Sequence, residues 1–136
     1  NLIVDYKNKI IHPVDLKTSS DPEYLFAKHF IEWNYSYQGR LYWRILRDNL
    51  DKDDYFKDFK LDGFRFIVVN RESLNPLVWL FEDTTKEGEL TYGDIVLEDP
   101  VKLGIELKHY LDINPLVPDG INLTEDNSLT KWLNEL

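Results

Sequence analysis

Two residue types are missing from the 136-residue sequence: it has no cysteine and no methionine. Without cysteine, disulfides and thiolate metal sites are excluded, and a reducing, cytoplasmic setting is favoured. A translated chain normally starts with methionine, and NLIVDY reads as mid-domain sequence. We therefore expect a longer parent chain whose missing part belongs to the same fold. No apolar run approaches the ~20 residues of a membrane span, and NLIVDYKNK meets charge too early for a signal peptide. Basic charge is also scarce: 16 Lys and Arg stand against 25 Asp and Glu, a formal net charge of -9. That balance opposes a broad phosphate-binding surface but leaves room for a local basic groove.

What is present fits one α/β domain over residues 1–136, with length enough for a real core. LIVDY (2–6) and IIHPVDL (10–16) read as a hairpin turning near Asn8. Pro13 has no ladder donor, which places this strand at an edge or a bulge. TSSDPEY then starts a helix, with Ser20 or Asp21 as N-cap, Pro22 at the first helical position and Glu23 in the first turn. The helix is expected over about 22 to 49, burying a stripe of Phe26, Phe30, Trp33, Tyr37 and Leu41. FRFIVVN (64–70) and PLVWLFE (76–82) form a second hairpin, followed by a loop containing Gly88 and Gly93. EDPVKLGIELKHYL (98–111) is a capped helix. Residues 114–136 comprise a proline-held linker and a terminal amphipathic helix bearing Leu129, Trp132, Leu133 and Leu136 on one face. That helix either docks on its own chain or makes an oligomer contact.

An acid-x-lysine triplet occurs at Asp5/Lys7, Asp15/Lys17, Asp58/Lys60 and Glu106/Lys108. Asp5 and Lys7 sit at a hairpin tip, and Asp58 and Lys60 lie in a charged connector, where charges are normally solvated. Glu106 and Lys108 fall at i and i+2 on a helix and point to different faces. Only Asp15 and Lys17 end an apolar strand, where alternation puts both side chains on one face. On the following helix Gln38 and Tyr42 are four apart and stacked on one face.

HPVDLKTSS followed by FIEWNYSYQGRLYW resembles the PD-(D/E)xK nuclease superfamily, closest to its RecB-type and exodeoxyribonuclease VIII-like phage and bacterial branch. In that branch a strand ends in D/E-x-K, often before Thr or Ser, and the next helix carries Q-x-x-x-Y. The resemblance implies a restriction-endonuclease-like core: a mixed sheet of two hairpins flanked by helices, with the first core helix upstream of Asn1. It implies a Mg2+ (or Mn2+) cofactor held by Asp15, with the Leu16 carbonyl as a second oxygen ligand. Lys17 would orient or deprotonate the attacking water. Gln38 and Tyr42 would hydrogen-bond the motif strand or the DNA backbone. Thr18, Arg40 and Arg44 are the DNA-contact candidates, although the arginines of this helix are equally well read as ordinary surface charge. The implied activity is exonucleolytic hydrolysis of linear duplex DNA in phage or bacterial recombination. A homo-oligomer and a recombination partner protein are left open. The rival readings are a non-catalytic DNA-binding or assembly domain that keeps the fold, and a plain protein-interaction domain.

The family also requires an earlier acid on the preceding strand. Antiparallel partners about Lys7-Asn8 have numbers summing to 15, or to 16 or 17 with a shifted loop. The position opposite Asp15 is then 0, 1 or 2. Asp5 would face residues 10 to 12 instead, about 10–17 Å from Asp15 along the strand at roughly 3.4 Å per residue. Asp5 is therefore excluded as a shared ligand, and the missing acid is expected upstream of Asn1. His12 is read as a packed or edge histidine, and His29 and His109 lack metal-ligand spacing. DKDDYF lacks the glycine and glutamate of a calcium loop.

Overall fold

The computed structural model describes residues 1–113. The expected linker and terminal helix over 114–136 lie outside the described residues. Asn1–Lys102 form one compact unit, and the helix Pro100–Ile113 continues beyond it.

In this unit, β1 (Leu2–Asp5) and β2 (Ile10–Ser19) form the expected hairpin. Leu2 pairs with Pro13 and Asp5 with Ile10, so partner numbers sum to 15. Asp5 braces the turn: its carboxylate accepts the Asn8 backbone N–H at 3.0 Å and the Asn8 side-chain amide at 2.7 Å. The backbone hydrogen bond from Asn8 is the main cause of a lowered Asp5 pKa. This acid is occupied by its own loop.

The chain crosses over through α1 (Phe26–Glu32) and α2 (Tyr35–Leu50) to β4 (Phe64–Asn70), which runs parallel to β2. A two-residue strand, β3 (Lys60–Leu61), pairs with β2 just before it. β5 (Pro76–Phe81) returns antiparallel to β4, giving the order β1-β2-β4-β5. The fold is therefore α/β with a mixed sheet built from two hairpins. The parallel step between them requires a crossover, which the helices supply.

The single helix expected over 22 to 49 is broken. A 3-10 turn at Glu23–Leu25 precedes α1, and Asn34 separates α1 from α2 with φ 52° and ψ 39°. Asparagine tolerates this left-handed conformation better than most residues, which makes it a natural break point. Pro22, not Ser20 or Asp21, holds the N-cap position, because the Asp21 carboxylate turns instead to His29 Nε2 at 3.0 Å.

The break resets the helical phase, so the expected core stripe fails beyond Phe30. Trp33 is 57% exposed and Leu41 is 42% exposed, while Ser36, Gly39, Arg40, Trp43 and Arg44 are buried. Phe26, Trp43, Phe64, Phe66 and Val68 form the core, flanked by Phe30, Tyr35, Trp79 and Phe81. Each such side chain contributes about 1.5–3 kcal/mol by leaving water. Gly39 packs α2 against the sheet's phenylalanines: a Cβ there would lie 3.4 Å from Phe81 and 3.5 Å from Phe66.

The segment expected as a loop holds a small hairpin, β6 (Leu90–Tyr92) and β7 (Ile95–Leu97). Gly93 opens its two-residue turn with φ 60°, which favours glycine. α3 runs over Pro100–Ile113, close to the expected range.

Candidate functional site

The site begins with strand alternation. In β2, Asp15 and Lys17 align with Phe66 and Val68 of β4, whose side chains are buried on the helix-facing side of the sheet. Leu16, between them, points the other way and is 57% exposed. Asp15 and Lys17 are thus aimed toward α2, with side chains 24% and 21% exposed.

α2 answers with two residues one turn apart. Gln38 Oε1 accepts a hydrogen bond from Lys17 Nζ at 2.8 Å. The Tyr35 ring lies beneath the same ammonium, 4.2 Å from its centroid. Tyr35 is itself locked by stacking on Phe26 and Phe66 at 5.7 and 5.9 Å. Lys17 Nζ also lies 2.8 Å from Asp15 Oδ2. That oxygen is buried and accepts no well-directed hydrogen bond, so the ammonium meets it as a charge. Tyr35 is the site residue that sequence reasoning missed. Its i, i+3 spacing to Gln38, which puts both on one helix face, is the signal that could have found it.

Of the two contacts expected of Tyr42, the motif strand and the DNA backbone, the first is not made. It is 48% exposed, packs its ring against Phe64 at 6.4 Å, and hydrogen-bonds nothing in the motif strand. It shares with Asp15, Asn1, Pro13, Leu46 and Phe64 the wall of a cleft of about 270 Å³. Gln38 therefore holds the strand, while Tyr42 lines the space beside it. Thr18 is exposed.

Arg40 and Arg44 do not form a basic track, and this corrects the sequence-based expectation. Arg40 is fully buried and donates to the backbone carbonyls of Glu98 at 3.0 Å, Lys86 at 3.1 Å and Gly88. Arg44 is 8% exposed and grips Asp99 with two bonds of 2.6 and 3.1 Å. The Arg44 hydrogen bond holds the Asp99 carboxyl well below the usual carboxylate range, helped by the Val101 and Gly88 backbone N–H groups. These guanidiniums tie α2 to the 86–99 segment and are not available to phosphate.

Asp5 is the register partner of Ile10, five residues from Asp15 and about 17 Å along the strand. Val14 N–H donates to the Asn1 carbonyl at 2.9 Å, so Asp15 lies one position beyond that bond and two beyond the last β1 pair, Leu2 with Pro13. By strand alternation the Leu16 carbonyl points to the same edge as Val14 N–H. His12 is half-buried between Asp62 Oδ2 at 2.9 Å and Arg65 at 3.0 Å, a packed histidine as expected. His29 is buried, stacked 4.6 Å from Trp33.

The two oxygens that the resemblance assigns to a cation are separated: Asp15 Oδ2 is buried and paired with Lys17 Nζ at 2.8 Å on the α2 side, while the Leu16 carbonyl faces the β1 edge. A magnesium ion here would need most of its shell from water and substrate oxygens. Among the described residues no group of three or more His, Cys, Asp or Glu could hold a metal by itself.

A second, larger cavity of about 470 Å³ is walled by Phe26, Phe30, Trp79, Phe81 and Leu97, with Asp83 and Tyr92 also in its lining. Neither Asp15 nor Lys17 borders it. No helix among the described residues is long and apolar enough to cross a membrane. Comparison of the chain with protein-family models, with curated proteins and with solved structures returned no match.

Proposed function

We propose that this chain is the core of a divalent-metal-dependent DNA nuclease of the PD-(D/E)xK type, with a restriction-endonuclease-like sheet, acting on linear duplex DNA in phage or bacterial recombination. One observation carries the reading: Lys17 and Gln38, 21 residues apart, meet at 2.8 Å across the strand and helix that the motif requires. The strand order, with its parallel step between two hairpins, is compatible with that core.

In this reading Asp15 and the Leu16 carbonyl hold the cation. A bound Mg2+ supplies a water of lowered pKa and charge stabilisation for in-line displacement. Lys17 offers one ammonium beside the phosphate to orient the attacking water and offset developing charge. Gln38 and the Tyr35 ring fix that ammonium. Tyr42, across the cleft from Asp15, offers a hydroxyl to the DNA backbone, and Thr18 remains available as a contact. Arg40 and Arg44 have no such role.

A second reading is a non-catalytic DNA-binding or assembly domain. It is favoured by the lone carboxylate, since no larger metal-ligating group is found among the described residues. The test is degradation of linear duplex DNA by the full natural chain with Mg2+ or Mn2+. Metal-dependent loss of duplex that chelator stops and Lys17→Ala abolishes supports the nuclease. Metal-dependent DNA binding without cleavage supports the second reading.

A further inference from the structure

We infer that the cavity between α1, β5 and the β6-β7 hairpin is a binding site for a small organic cation with an apolar body, a substituted ammonium. The inference is independent of the nuclease reading, because Asp15 and Lys17 do not border this cavity.

Three elements build the site from residues at regular spacing. Phe26 and Phe30 are four apart on α1 and share one face. Alternation in β5 puts Trp79 and Phe81, the partners of Phe66 and Phe64, on the helix-facing side of the sheet. The β6-β7 hairpin adds Tyr92, Ile95 and Leu97. Phe26 and Phe66 are buried at the base, while Tyr92 and Ile95 are exposed. Phe30 meets Phe81 at 4.9 Å and 71°, and Phe26 meets Trp79 at 6.0 Å and 45°. These rings therefore do not close the space by parallel stacking. The volume of about 470 Å³ lies within the range of small-molecule sites, roughly 300–1,000 Å³.

Charge selects the ligand. The lining holds two carboxylates, Glu82 and Asp83, and no Lys, Arg or His side chain. Hydrogen bonds from Lys86 and Tyr92 lower the Asp83 pKa and keep it ionised. Lys86 meets Asp83 Oδ1 at 2.8 Å but does not line the cavity. Glu82 is exposed and has no ion pair among the described residues. Tyr92 donates its hydroxyl to Asp83, and burial pushes that phenol up to about 12, so it stays neutral. The Trp79 indole N–H is buried and does not open onto the cavity. An anion would thus meet carboxylates and rings with no basic side chain to pair with. An inorganic cation would give up its water against apolar walls. An ammonium bearing apolar groups buries its body against the rings and is drawn to their faces and to the carboxylates.

The test titrates benzyltrimethylammonium into the 15N-labelled 136-residue chain and follows the amide signals of Trp79, Phe81, Tyr92 and Ile95. Dimethyl benzyl carbinol, of nearly the same shape, is the neutral probe, and phenylacetate is the anionic one. The cation should give saturable shifts centred on these residues. Its Kd should lie at least about fivefold below that of the carbinol, the scale of a partly desolvated cation–π contact. Phenylacetate should give no saturable shift. Glu82→Gln should weaken the cation about threefold and leave the carbinol unchanged. Equal Kd for cation and carbinol, saturable binding of phenylacetate, or a cation Kd unchanged by Glu82→Gln overturns the ligand class. No saturable shift at the lining with any probe overturns the site itself. If Glu82→Gln does not fold, the wild-type comparison of cation with carbinol decides alone.

Discussion

Lys17 Nζ sits 2.8 Å from Gln38 Oε1 on α2 and 2.8 Å from Asp15 Oδ2 on its own strand. One ammonium thus links the two halves of the motif, and α2 determines where it stands. Replacing Gln38 by Leu removes the acceptor while keeping the bulk. The expected cost in urea denaturation is about 1 kcal/mol, a charged hydrogen bond discounted for partial exposure. Cleavage should fall about tenfold through misplacement of Lys17, the scale of one such interaction in a transition state. Gln38→Glu retains an acceptor and should keep the stability, which separates positioning from general damage.

The Arg40–Arg44–Asp99 cluster predicts where the fold is most vulnerable. Asp99 is the shared partner of Arg44, Val101 N–H and Gly88 N–H. Asp99→Ala leaves buried guanidiniums uncompensated and should cost about 3–5 kcal/mol. The Asp99 pKa is depressed in the folded state, so its stabilisation is complete above the unfolded carboxylate pKa of about 4. It is lost as pH falls through the lower folded value. Urea midpoints measured down to acidic pH should therefore decline steeply in the wild type and less steeply in Asp99→Asn.

The same burial predicts a negative result. Each phosphate contact contributes about 0.9 to the slope of log K against log salt. Arg44→Gln, measured under conditions where it is folded, should leave that slope unchanged for DNA binding. A slope reduced by about one would restore Arg44 to the DNA track.

Gly39 predicts a gain. Ala there would place a Cβ at 3.4–3.6 Å from three phenylalanine rings, ordinary contact distances. Removing glycine from a helix interior should then raise stability by about 0.5–1 kcal/mol. Gly39→Val, which overfills the same gap, should lose about 1–3 kcal/mol. Thermal melts of the two variants read the difference in sign.

The sequence held the local relationships and hid the non-local ones. The hairpin register followed from a short turn, and the observed pairing of Asp5 with Ile10 matches the predicted sum. That register is what removes Asp5 from the site. Gln38 was legible through its spacing from Tyr42, but Lys17 chose Gln38 and Tyr35 instead of Tyr42. The break at Asn34 was not legible, because hydrophobic spacing over 26 to 33 continues smoothly into the next helix when no left-handed residue is assumed. Without the break, Arg40 and Arg44 seem to lie on a solvated face. Their true partners are carbonyls and a carboxylate some 46 to 58 residues later, a match that spacing within one helix cannot reveal. The β6-β7 hairpin was passed over because its strands are only three residues long.

The most direct measurement is metal-dependent cleavage of linear duplex DNA by the full natural chain, comparing Asp15→Asn with Asp5→Asn. Both substitutions remove one carboxylate from the same hairpin, so the change in net charge is matched, and a thermal melt of each checks that it folds. The account predicts at least about a hundredfold loss for Asp15→Asn, the worth of a metal ligand in the transition state. Asp5→Asn should retain activity within about twofold, since Asp5 only braces the Asn8 turn. Cleavage that survives Asp15→Asn, or that disappears in a folded Asp5→Asn, would contradict it.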